Sequence, residues 1–294
     1  MPKANQTTID DTVTAFLRTL SGANKSASTI TAYRTDLFQF AHFLKETNCT
    51  IATPADVGRG DIAEYLSHLA ERGISGNSRA RKLASIREYF RFLERERVVS
   101  VNPTLGVQTP KKERGSRTAL RSDEYTKLLS LAGANPRDYA ILQIFLQTGI
   151  RVSELCSLTR EDIDFENRTV HVGNGKGQKA RSIELEKKGI QAIKSYLAVR
   201  PESLHDALFL NYQGESLSDR GVRKMLAKYL KASGITKKIS PHSLRHTFAT
   251  YKAERGVSPY VLREWLGHAR LDTTQIYVHM ARENTKKAME ATSL

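Results

Sequence analysis

The second half of this chain carries cations, proton carriers and a phenol in an order that suits attack on a phosphodiester. Pro241-His242-Ser243-Leu244-Arg245-His246 precedes Leu266-Gly267-His268 and then Tyr277, on segments that read as short consecutive helices. Arg151 stands in Thr148-Gly149-Ile150-Arg151-Val152-Ser153-Glu154-Leu155, just past a glycine that ends an apolar helix, and Lys176 lies in the turn Gly173-Asn174-Gly175-Lys176-Gly177. Cleaving a phosphodiester needs a nucleophile, positive charge at the phosphoryl oxygens and a proton for the leaving alkoxide. Arg151 and Arg245 would make a clamp, because a guanidinium fork binds two oxygens and keeps its charge. His242 and Arg245 are three apart and share a helix face, and an imidazole moves protons near neutral pH. Tyr277 is the phenol.

Each residue has a plainer role to set beside this one. A single arginine is commonly a salt-bridge partner, and a loop lysine is commonly solvated. His268, just after a helix-ending glycine, would also complement a helix dipole, and a lone tyrosine usually packs. His242 and His246, four apart, have the spacing of a zinc-binding helix, but Ser243 stands where that motif has a glutamate. His246 is therefore read as packing or supporting its neighbours, and neither a metal nor any other cofactor is expected. Order and spacing of the whole set, rather than any one residue, make the chemical case.

The elements that must position these groups follow from periodicity and punctuation. Helical spacing runs from Thr8 and again from Ser28; Asp61 reads as the start of a third helix closed by Gly73, and Ser78 as the start of a fourth. That fourth helix carries Arg79, Arg81, Lys82, Arg87 and Arg91 opposite an apolar face, a pattern suited to nucleic acid. Residues 1–106 thus read as a helical DNA-binding domain, 107–118 as a basic linker and 119–294 as a second domain. In the latter, Asp138–Thr148 is almost wholly apolar and should be buried. Thr169–Val172 and Arg181–Ile183 read as a β-hairpin, with Leu208–Leu210 as a third strand. Ser218 restarts helical signals, and Ser258-Pro259 and Gly267 frame one late helix.

The chain has 294 residues and a formal charge of +15, a balance that favours polyanionic partners. No run approaches the roughly 18 apolar residues of a spanning helix, and no amino-terminal signal segment is visible. Cys49 and Cys156 are isolated. A cytoplasmic, nucleoid-associated protein with no membrane partner is the expectation.

In this order and context the residues resemble the tyrosine recombinase and integrase family, most of all its compact Xer-type and mobile-element members. The resemblance spans almost the whole chain. It implies a mainly α protein: a helical, SAM-like core-binding domain followed by a mixed α/β catalytic domain with a small antiparallel sheet. By the same resemblance Tyr277 attacks the scissile phosphate to form a 3′-phosphotyrosyl link, and Arg151 and Arg245 hold the phosphate. Lys176 protonates the leaving 5′ oxygen, His242 assists at the tyrosine, and His268 hydrogen-bonds the phosphate. Glu154 falls where the family has an acidic support for its first arginine. The implied partners are double-stranded recombination sites, a dimer on each and a homotetramer on two, with a second recombinase or accessory protein as a further one. A Holliday junction is the implied product of strand exchange. A type IB topoisomerase, which shares the chemistry but rejoins the original strand, is the alternative, and a lapsed DNA-binding module is argued against by the intact set.

Overall fold

In a computed structural model, which describes residues 7–47, 50–111, 118–173 and 180–267, Thr8 opens the first helix, α1 (Ile9–Gly22). Its hydroxyl accepts the Asp11 N–H at 3.2 Å and the Asp11 carboxylate accepts the Thr8 N–H at 3.3 Å, so two otherwise unpaired donors are satisfied reciprocally. Helices α2 (Ala27–Thr47), α3 (Arg59–Glu71) and α4 (Gly76–Arg95) follow. Two starts differ from the sequence reading. Helix α3 is capped at Gly58, whose N–H donates to Asp61 at 2.7 Å, so Asp61 acts from inside the first turn. Helix α4 is capped by Ser75, whose hydroxyl accepts the Ser78 N–H at 3.3 Å. In both, the capping oxygen sits three residues from its partner, and sequence alone does not say which of the two is the cap. Phe16, Leu37, Phe40, Ile62, Leu83, Ile86 and Phe90 fill the shared core of these helices.

The chain divides into two compact units, Met1–Gly115 and Ser116–Leu294. The second begins with α5 (Ser122–Ala132) and α6 (Pro136–Thr148). Asn135 caps α6 by accepting the Asp138 N–H at 3.0 Å, and Pro136 occupies a first-turn position that needs no N–H. Ala140, Ile141, Leu142, Ile144 and Phe145 are fully buried, as their almost wholly apolar segment predicts. Helix α7 (Val152–Ser157) leads into an antiparallel sheet in the order β1 (Ile163–Asp164), β2 (Thr169–Val172), β3 (Arg181–Glu184). Val170 pairs with Ile163 on one side and Ile183 on the other, which lines all three side chains into the core.

The third strand is therefore β1, and Leu208–Leu210 is not part of this sheet. Those three side chains are buried, but the Leu208 N–H donates to the Leu158 carbonyl at 2.7 Å and the Phe209 carbonyl accepts from Leu217 at 3.0 Å. The segment satisfies its backbone against loops and side chains instead of a sheet ladder, the Leu210 N–H donating to the Tyr196 hydroxyl at 3.2 Å and the Leu210 carbonyl accepting from Arg137 at 2.9 Å. Helices α8 (Lys187–Leu197), α9 (Asp219–Ser233), α10 (Pro241–Glu254) and α11 (Pro259–Leu266) complete the described residues. The architecture is mainly helical with a three-stranded antiparallel sheet confined to the second unit, as the sequence leads one to expect.

Candidate active site

Gly149 ends α6 with φ +61°, a left-handed conformation that glycine adopts without a Cβ penalty. A Cβ there would lie 2.4 Å from Phe248 Cδ1 and 3.0 Å from Leu266 Cδ2, so the end of α6 is pressed against α10 and α11. Two residues later Arg151 caps α7. Its N–H donates to Glu154 Oε2 at 2.7 Å, and its guanidinium reaches Glu154 Oε1 at 2.7 Å and the Gly267 carbonyl at 2.9 Å. About a third of the Arg151 side chain (34%) stays exposed.

Arg245 arrives from α10 and is 4% exposed. It donates to the Gly149 carbonyl at 2.9 Å and to the Leu266 carbonyl. The two arginines predicted to act together thus grip adjacent carbonyls at the carboxyl end of α11. Those carbonyls lack partners within their helix and carry the negative end of its dipole, so they attract guanidinium groups strongly.

His242 is exposed in the first turn of α10, one turn ahead of Arg245. Ser240 caps that helix by accepting the Ser243 N–H at 3.3 Å. His246 is buried, and next to it the Thr247 hydroxyl accepts the Leu120 N–H at 2.8 Å. Lys176, His268 and Tyr277 lie outside the described residues; His268 is the residue that follows Gly267 in the chain.

Glu154 is buried among cations. Burial on its own would raise its carboxyl, but hydrogen bonds from Arg181 and from the Arg151 N–H and guanidinium outweigh this and hold it below the ordinary value. Burial, helped by the nearby Asp219 carboxylate, pushes the Cys156 thiol up to about 12, so it is no competing nucleophile at neutral pH. Among the described residues no three His, Cys, Asp or Glu side chains gather as a metal site, and no helix is long and apolar enough to cross a membrane.

A model described as the phage integrase family matches residues 118–284, more than half of the chain. The chain belongs to the phage integrase family. A second model, the phage integrase N-terminal SAM-like domain, matches residues 13–97. Tyrosine recombinase XerC of Thermodesulfovibrio yellowstonii is 38% identical over 267 residues, covering 87% of this chain and 86% of the relative. Tyrosine recombinase XerD of Listeria innocua is 36% identical over 271 residues, covering 89% and 91%. A structure of the Tn1549 transposon integrase in complex with a circular intermediate DNA superposes with a TM-score of 0.77 at 21% identity, over 96% of this chain and 99% of that one, a likeness of fold.

In this phage integrase family member the sequence reading passed over Arg181. Its side chain is only 7% exposed on β3, donating to the Trp265 carbonyl at 2.6 Å and to both oxygens of Glu154 at 3.2 and 2.9 Å. A signal was present: Arg181 shares its strand face with buried Ile183, and a cation on an inward face requires a buried partner.

The basic helix α4 also departs from expectation. Lys82 is buried, and its ammonium donates to Asp36 at 3.0 Å and to Gln39, so it is not a surface cation. Asp36 is itself fully buried and accepts from Arg81 and from the Ser85 hydroxyl at 2.9 Å. Arg87 donates to the Val107 carbonyl at 2.6 Å and to Thr109 at 2.9 Å, Arg91 pairs with Glu88, and Arg79 is half-buried.

Proposed function

We propose that Tyr277 is the nucleophile of a metal-independent transesterification for which Arg151 and Arg245 hold the scissile phosphate. The chain is a site-specific tyrosine recombinase, an enzyme that cuts and rejoins DNA. The observation that carries the site assignment is the meeting of Arg151 and Arg245 on the last carbonyls of α11. Two fixed cations there would neutralise charge as it develops on the nonbridging oxygens. His242, on the Arg245 face of α10, would take the phenolic proton; His268 would hydrogen-bond the phosphate; Lys176 would protonate the departing 5′ oxygen. The phosphotyrosyl bond conserves the energy of the phosphodiester, so a strand from a partner duplex can displace the tyrosine, giving a Holliday junction without ATP. Double-stranded recombination sites are the substrate, bound by a dimer each and brought together in a homotetramer. Arg79, Arg81, Arg87 and Arg91 of α4 would contribute to binding. The recombinase names of the relatives favour strand exchange over topoisomerase-like rejoining.

The test is to trap the protein on sheared DNA of its source, digest, and identify the adduct by mass spectrometry and sequencing. The wild type should yield one phosphotyrosyl peptide containing Tyr277 at a recurrent site, with or without excess chelator. Tyr277→Phe should yield none. An adduct that survives in Tyr277→Phe, or that chelator abolishes, overturns the assignment. Relaxation of supercoils with no exchange between two copies of the trapped site would move the reading to a topoisomerase.

A further inference from the structure

Three guanidinium groups meet three consecutive carbonyls at the end of α11: Arg181 on Trp265, Arg245 on Leu266 and Arg151 on Gly267. Two of these arginines are the phosphate ligands proposed above. The third, Arg181, has no such role, and its donors go to protein acceptors on two sides. Its Nε reaches Trp265 while Nη1 and Nη2 span both oxygens of Glu154, the carboxylate that also receives the Arg151 N–H and guanidinium. Arg181 therefore ties β3 to the two groups, Glu154 and the α11 end, that set where the Arg151 guanidinium lies. Gly267 sits against it so closely that a Cβ would lie 3.0 Å from Arg181 Nη1.

We propose that Arg181 is a positioning residue for strand cleavage, holding Glu154 and the carboxyl end of α11 so that Arg151 meets the scissile phosphate. Its planar fork is needed for this. A lysine at the position keeps the charge but offers one point donor, which does not span both carboxylate oxygens and the Trp265 carbonyl. Without Arg181, Glu154 keeps only Arg151 of its two guanidinium partners and is free to draw that side chain toward itself and away from the substrate. The loss then appears as a failure to neutralise phosphate charge, not as a failure of proton transfer to the leaving oxygen. The inference rests on the assignment of Arg151 as a phosphate ligand.

The test uses the full chain and a nicked duplex carrying the trapped site, prepared once with the natural phosphodiester and once with an uncharged methylphosphonate at the scissile position. Arg181→Lys and Arg181→Met are compared with wild type and Arg151→Ala. On the phosphodiester both Arg181 variants should form adduct about 10–100-fold more slowly, the range typical when a supporting partner of a site ligand is removed. On the methylphosphonate, where there is less charge for Arg151 to stabilise, Arg181 variants, Arg151→Ala and wild type should converge. Thermal melting identifies a variant that does not fold, and Arg181→Lys then decides the matter if Arg181→Met is lost. Equal losses on both substrates, or wild-type cleavage by folded Arg181→Lys, overturn the proposal. Cleavage by Arg151→Ala at the wild-type rate on the phosphodiester would instead overturn the underlying assignment of Arg151.

Discussion

Glu154 shows how one buried carboxylate organises the cations around it. Its pKa is held below the ordinary carboxylate value of 4.5 because its two guanidinium partners and the Arg151 N–H outweigh the cost of burial. A group depressed in the folded state adds stability that is fully present above its unfolded pKa and is lost as pH falls through the folded one. The Glu154 contribution should therefore be complete at neutral pH and fade below about pH 4.5. Glu154→Gln removes the charge but leaves Arg181 buried, and breaking a buried pair from one side costs about 3–5 kcal/mol. Denaturant unfolding at a series of pH values should show that loss at pH 7 and a shallower acid decline than the wild type. An acid limb of unchanged slope would mean that Glu154 is not charged and paired as described.

At the scale of elements, the end of α6 meets α10 and α11 closely at Gly149. A Cβ there would collide with Phe248 and would also sit at φ +61°. Gly149→Ala should lose about 1–3 kcal/mol to overpacking and about 1–2 kcal/mol to the left-handed conformation, measured by equilibrium unfolding. Wild-type stability would contradict the close approach. This glycine was legible as a helix stop because the left-handed cap is a local requirement, as are the caps at Thr8, Ser218 and Ser258, whereas α6 starts at Pro136 behind its Asn135 cap and not at Asp138. The β-hairpin was legible for the same reason, since alternation and a glycine-bearing turn are properties of one short stretch. What escaped depends on residues far along the chain. Lys82 reads as a surface cation until Asp36, 46 positions earlier, is brought beneath it. Arg181 reads as an ordinary strand residue until Glu154 and Trp265 arrive from other elements. Leu208–Leu210 has the composition of a sheet strand, yet β2 already has β1 and β3 on its two sides and the segment pairs with Leu158 and Leu217 instead.

For the whole molecule, the excess of positive charge matters only where it can reach a polyanion. The formal charge is +15, but a cation that is itself buried against a carboxylate releases no counterions from DNA. Each phosphate that a protein neutralises steepens the fall of log K with log salt by about 0.9 on duplex DNA. On α4 the Arg81 and Arg91 side chains remain 53% and 62% exposed even while paired with Asp36 and Glu88. Arg81→Ala and Arg91→Ala should therefore each lower the salt slope of binding to the trapped site by about one. Lys82→Met should leave the slope unchanged and lower unfolding stability, because what it removes is a partner of the fully buried Asp36. Fluorescence titrations across a salt series, run beside melting curves, separate the two effects. If Lys82→Met flattens the slope as much as Arg91→Ala does, the Lys82 ammonium faces DNA and the division of charge on α4 is wrong. If neither exposed arginine changes the slope, α4 does not contact the phosphate backbone, and the first unit must present another surface to the duplex.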